Sequence, residues 1–190
     1  NPFDATIKAH YFDSSVGKYV IEFQAPVKTI KENAFKGTAL QAIDLPEGLQ
    51  TIEKGAFSET QLAAITIPGS VETIKTEAFY SCRQLETIEF LPSPTQKPLA
   101  IACREYSGAE YGPFEISYFK SINLNRNIVY VKPDGNSFAP DEVDEGIFYN
   151  MYPASVTVTI GDQVKTIPDY MFSGLKINHL TIPGTVTTIG

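Results

Sequence analysis

One nine-residue phrase recurs along this chain and limits what it can fold into. VKTIKENAF at 27–35 returns as LQTIEKGAF at 49–57, as VETIKTEAF at 71–79 and as VKTIPDYMF at 164–172. Ile30, Ile52 and Ile74 are spaced 22 residues apart, as are Ile167 and Ile189. Upstream of these phrases lie alternating apolar triplets: Ile21-Glu22-Phe23, Ile43-Asp44-Leu45, Ile65-Thr66-Ile67, Ile88-Glu89-Phe90, Ile122-Asn123-Leu124, Val158-Thr159-Ile160 and Leu180-Thr181-Ile182. Their successive spacings are 22, 22, 23, 34, 36 and 22. A fixed period of this length means that one small unit is stacked on copies of itself, because a single unit cannot bury its apolar face alone.

Alternation with period two over three to four residues is a strand signal, with the two apolar residues of each triplet pointing inward. Pro46, Pro68 and Pro183 follow their triplets directly. Proline has no N–H to give a ladder, so it marks the strand's end. The next Val/Leu-x-Thr-Ile segment reads as a second short extended piece. A tight turn, expected to be one helical turn at most, then delivers Ala34-Phe35, Ala56-Phe57 and Ala78-Phe79. The two long spacings carry extra residues at about 91–113 and 132–147, interrupting otherwise regular coils at about 18–90 and 155–190. The whole of 1–190 reads as a single repeat domain.

The repeat L-x-x-I-x-I-P-x-x-V-x-x-I-x-x-x-A-F resembles the BspA-like leucine-rich repeats, most clearly in LAAITIPGSVETIKTEAF (62–79) and INHLTIPGTVTTIG (177–190). The resemblance implies a leucine-rich-repeat solenoid of the α/β horseshoe class, strand-rich with little helix. About seven coils would place a parallel sheet on the concave face. It also implies a cell-surface or secreted protein of a host-associated bacterium, acting as an adhesin for host proteins. The family pattern often carries Cys three residues after the Phe. That slot here holds Thr38, Thr60, Cys82 and Leu175.

Composition narrows the partners. The formal net charge is −7 and no run of Lys/Arg occurs, which speaks against nucleic acid and against an anionic membrane surface. No run of about 18 apolar residues exists to span a bilayer. The chain starts at Asn1 without a visible signal segment.

Candidate chemistry is sparse. Cys82 reads either as a small buried thiol or as a partner for Cys103 about one coil further on; neither residue has a neighbouring base to make it a nucleophile. His10 and His179 are the only histidines and form no ligand cluster. The acidic segment KPDGNSFAPDEVDEG (132–146) puts Asp134, Asn136 and Glu145 at EF-hand positions 1, 3 and 12. Phe138 then falls where a ligand is needed and Ala139 where the loop needs Gly. Carboxylates such as Glu22 and Asp44 on adjacent strands could be paired on paper, but no pocket is implied. No catalytic residue, cofactor or metal site is assigned, and the chain is read as non-enzymatic.

The expected concave face is small and mildly acidic, running from Val20 and Glu22 to His179 and Thr181, with no aromatic anchor. Interface hot spots favour Tyr, Trp and Arg. The insertions supply these: Arg104, Tyr106 and Tyr111 in the first, Phe138 in the second, with Tyr149 and Tyr152 just after it. His179 is added as a contact residue on the sheet. The expected function is a protein-binding module whose ligand is a host matrix or plasma protein. The alternative is a structural spacer that displays another domain. Because Thr188-Ile189-Gly190 stops partway through a repeat, the natural chain is expected to continue, or its open end to pack on another chain.

Overall fold

The computed structural model describes residues 1–190 except 16, 105–109, 140, 141, 144 and 152–154. No helix occurs among the described residues. The coils are built from two parallel sheets. One contains the triplets: β5 (Ala64–Ile67), β7 (Thr87–Phe90), β9 (Ser121–Leu124), β11 (Val156–Ile160) and β13 (Ile177–Thr181), paired in that order. The other contains the Val-x-Thr-Ile segments: β3 (Thr29–Ile30), β4 (Thr51–Ile52), β6 (Thr73–Ile74), β8 (Leu99–Ala102) and β10 (Ile128–Val131), again neighbours in order. β12 (Thr166–Ile167) pairs only with β14 (Thr188–Ile189). The chain thus crosses from one sheet to the other and back once per coil.

Six coils result, each closed by a Phe turn: Phe35, Phe57, Phe79, Phe114, Phe148 and Phe172. The seventh triplet, Leu180-Thr181-Ile182, is followed by β14 (Thr188–Ile189) and by no Phe turn, which accounts for the difference from seven triplets. Ile21–Phe23 belongs to β2 (Lys18–Phe23), which pairs antiparallel with β1 (Ile7–Asp13) instead of joining the parallel ladder. Residues 42–45, read as a strand, join no ladder either. The span 91–113 also proves to contain a solenoid strand, β8, whose Ile101 is in register with Ile74.

The tight turn expected before each Phe is present as a run of hydrogen-bonded turns rather than a helical turn, with left-handed residues beside the ring. Two residues after each Phe, φ is positive in all six coils, from 54° at Asn150 to 78° at Gly174. Two residues before it, φ is positive at Asn33, Gly55, Glu77 and Tyr170. Gly supplies this geometry without cost, and Asn at little. Ile116 adopts it as a β-branched residue, with φ of 60°. The turn's backbone bonds run to the next coil: Phe35 N to Ala56 O, Phe57 N to Ala78 O and Phe79 N to Pro113 O, each 2.8 Å. That alignment stacks the rings. Centroids are 5.3 Å apart for Phe35–Phe57, 5.2 Å for Phe57–Phe79, 5.4 Å for Phe79–Phe114 and 5.7 Å for Phe114–Phe148. Ala56 and Ala78 are fully buried beside them, where a larger side chain would push the coils apart.

Three residues after the Phe in the first three coils, a small polar side chain returns to a ring residue's carbonyl. Thr38 Oγ1 and Thr60 Oγ1 donate to the carbonyls of Phe35 and Phe57 at 2.7 and 2.9 Å. Cys82 Sγ donates to Phe57 O at 3.0 Å. At the N-terminal end Phe3 forms an antiparallel bridge with Ile30 and turns its ring edge to Phe35 and Phe23. Arg126 is buried among the coils and donates to the carbonyls of Gly69, Val71 and Lys97 at 2.9–3.1 Å, tying the loop before β8 to the turn after β5.

The stack predicts a steep packing cost in mid-array. Phe57→Ala is expected to lower stability by about 3–5 kcal/mol, read from the denaturation midpoint in guanidinium chloride. A loss below about 1 kcal/mol would mean the rings are not the array's main support.

Candidate functional site: the edge carrying two insertions

Both insertions leave the solenoid at the same point of the coil, between a strand of the second sheet and the Phe turn. The first follows β8 and ends before Phe114; the second follows β10 and ends before Phe148. These are consecutive coils, so the insertions are neighbours on one edge, and the Arg104 Nε to Glu145 carboxylate approach of 3.9 Å joins them.

The first insertion is fixed by Glu110. Its carboxylate accepts from Lys54 Nζ at 2.6 Å and from Thr76 Oγ1 at 2.7 Å. These bonds, led by that from Lys54, hold its pKa below the ordinary carboxylate range against the opposing effect of burial. The next residue, Tyr111, lies flat on Tyr80 with centroids 4.5 Å apart and planes 23° apart. Tyr111 keeps 43% of its surface exposed. Behind it Glu115 is buried, accepting from Gly112 N at 2.6 Å and Asn150 Nδ2 at 3.3 Å. Tyr149 stands one coil on, 36% exposed, its phenol pKa raised chiefly by the charge of Glu145.

The second insertion is self-contained. A turn closes through Gly135 N to Lys132 O and Lys132 N to Asn136 O, both 2.8 Å. Asp134 is occupied by Asn136, accepting from its backbone N and from Nδ2 at 2.8 Å each. Lys132 reaches Glu142 at 3.0 Å and lies 5.9 Å from the centre of the Phe138 ring. No group of three His, Cys, Asp or Glu side chains placed to hold a metal ion occurs among the described residues. Among those residues, too, no helix is long and apolar enough to cross a membrane.

Of the residues singled out from sequence, Arg104, Tyr111 and Tyr149 come together on this edge. Phe138 is half-buried and packs against the core under Lys132. His179 is exposed on β13 in the other sheet, with Nε2 3.3 Å from Thr181 Oγ1. Tyr106 and Tyr152 lie outside the described residues. Sequence reasoning passed over Tyr80 because it sits in a regular coil. The available signal was its place directly after Phe79, in the row shared with Glu115 and Tyr149. The two cysteines are free and buried, and burial raises both thiol pKa values.

Two outcomes follow from this geometry. A thiol reagent is expected to modify neither cysteine in the native protein at neutral pH and both after unfolding; fast native reaction would contradict the burial. Glu110 has a folded pKa below its unfolded value. It therefore adds stability at neutral pH that is lost as pH falls through the ordinary carboxylate range toward the folded pKa. Glu110→Gln is expected to flatten the acid limb of stability against pH, and an unchanged slope would show that the pair contributes nothing.

The family pattern described as "BspA type Leucine rich repeat region" matches six copies over residues 5–98 and 140–190. No curated protein and no solved structure matches the chain. The unmatched span 99–139 holds β8, Phe114, β9 and β10, which continue the same two sheets and the same ring stack. With the repeat pattern, the parallel ladders and the family match in agreement, the chain belongs to the BspA-type leucine-rich-repeat family.

Proposed function

We propose that this chain is a non-catalytic protein-binding module whose contact surface is the insertion edge, displayed on a bacterial surface or secreted, with host matrix or plasma proteins as ligands. The family generally mediates protein–protein interaction, and its solenoid is a typical non-enzymatic scaffold. The observation that carries the reading is the exposed Tyr111, held flat on Tyr80, on the same edge as Arg104 and the exposed Tyr149. Tyrosine offers a large amphipathic contact area with little rotamer entropy to lose, and stacking on Tyr80 removes part of that loss beforehand. The triplet sheet provides no such anchor: its outward residues include Thr66, Glu89, Asn123 and Thr159.

The test is binding of the purified chain to immobilised host matrix and plasma proteins, beside a Tyr111→Ala/Tyr149→Ala variant. Saturable binding weakened about tenfold or more by the pair is expected, equivalent to at least about 1.4 kcal/mol. Equal binding by the variant would move the surface elsewhere. No binding by either folded form would favour a spacer that displays another domain.

A further inference from the structure

Tyr80 and Tyr111 bring two oxidisable phenols into contact from distant parts of the chain. Three contacts fix their relative position. The carbonyl of Tyr111 accepts from Glu77 N at 3.2 Å. The preceding residue, Glu110, is held by Lys54 and Thr76 at 2.6 and 2.7 Å. The rings themselves are stacked, with centroids 4.5 Å apart and 23° between their planes. Their phenol groups lie at the same end of the stack: burial raises the Tyr80 pKa most, and the Tyr111 hydroxyl beside it raises it further. The ring carbons ortho to the two oxygens therefore lie close to one another.

A phenol gives up one electron at a time, and the resulting phenoxyl radical carries much of its unpaired spin on those ortho carbons. A radical on an isolated surface tyrosine must wait for a second chain. Here the partner ring is already in place. Groups joined by a short tether meet at an effective concentration of about 1 mM, and groups held in oriented contact exceed that. In a solution of about 1 µM chains, coupling within the pair is thus favoured about a thousandfold or more over coupling between chains. Little travel is needed. Two phenols joined ortho to ortho have their ring centres at nearly the separation seen here, so the rings pivot and do not have to approach. Tyr111, 43% exposed, has the room to pivot and admits the oxidant, while Tyr80 is half-buried beneath it.

We infer that Tyr80 and Tyr111 form an oxidative cross-linking site, joined ortho to ortho as dityrosine by a one-electron oxidant of the peroxidase and hydrogen peroxide class. Each phenol O–H gives one electron and one proton to the oxidant. The two radicals form one C–C bond between their ortho carbons. The hydrogens displaced from those carbons return to the oxygens as protons, restoring both phenols. One hydrogen peroxide is reduced to two waters, and the chain loses two hydrogens in all. The bond staples the end of the first insertion to the coil of Phe79. The site does not depend on what the insertion edge binds.

The test is treatment of the full 190-residue chain with a peroxidase and hydrogen peroxide, followed by dityrosine fluorescence, intact mass and peptide mapping. A monomer lighter by two hydrogens is expected, with the peptides carrying Tyr80 and Tyr111 joined. Its yield per chain is expected to hold on about tenfold dilution. Tyr111→Phe and Tyr80→Phe each keep the ring stack and are expected to cut the fluorescence of the monomer about tenfold or more. Fluorescence retained by either variant would overturn the inference. So would cross-links that join chains through exposed tyrosines such as Tyr170, 51% exposed, and fall on dilution. Dityrosine that forms only after denaturation would overturn it as well, since the oxidant would then be shown to work and the native pair not to couple.

Discussion

The coil-on-coil stack of phenylalanines is the contact on which the array depends. A ring in a single 22-residue coil would have one face in water. Between two coils it is covered on both, and the five rings from Phe35 to Phe148 form one column with centroids 5.2–5.7 Å apart. That spacing tracks the roughly 4.8 Å between strands, so the ladders and the rings repeat on nearly one pitch. The left-handed residues around each Phe make this possible by turning the chain sharply enough to aim the ring inward. In the first four coils the hydroxyl or thiol three residues later adds a hydrogen bond to a Phe carbonyl.

Variation is accommodated where the stack is not touched. The two long coils carry most of their extra residues between strand and Phe turn, the first also lengthening the step from β7 to β8, and Phe114 and Phe148 still land in the column. The interplanar angle grows from 4° at Phe35–Phe57 to 28° at Phe114–Phe148, so the rings tilt after the insertions without leaving contact. The triplet sheet runs on undisturbed, with Ile88, Ile122 and Val158 in register. The other sheet does not. Its ladder stops at β10, and the next coil is held by Asn127 Oδ1, which accepts from Lys165 N at 2.7 Å and Thr166 N at 3.2 Å. One side-chain amide thus stands in for a strand pairing.

Placing the insertions on one edge also shapes the candidate site. Glu110, between Lys54 and Thr76, anchors the first insertion to two regular coils, and Arg104 meets Glu145 of the second. Tyr111 and Tyr149 are therefore presented from a supported edge rather than from free loops. At the N-terminal end, residues 42–45 join no ladder, because the hairpin that precedes them is paired with itself.

The repeat, the two extended pieces per coil and the inward Phe could all be read from the chain, because burial of one amphipathic unit against its copies demands them and the period shows in the residues. The lone aromatics Arg104 sits among could be named from sequence too, but only tertiary structure set Tyr80 under Tyr111 and drew Phe138 into the core. Those outcomes depend on which loops meet across coils. Sequence spacing alone also placed Ile21–Phe23 in the ladder, since its alternation matches the other triplets. The structure decided otherwise: Ile7–Asp13 lies close along the chain and offers an antiparallel partner through a short turn, and a local pairing with low loop-closure cost took a strand whose pattern fits either place.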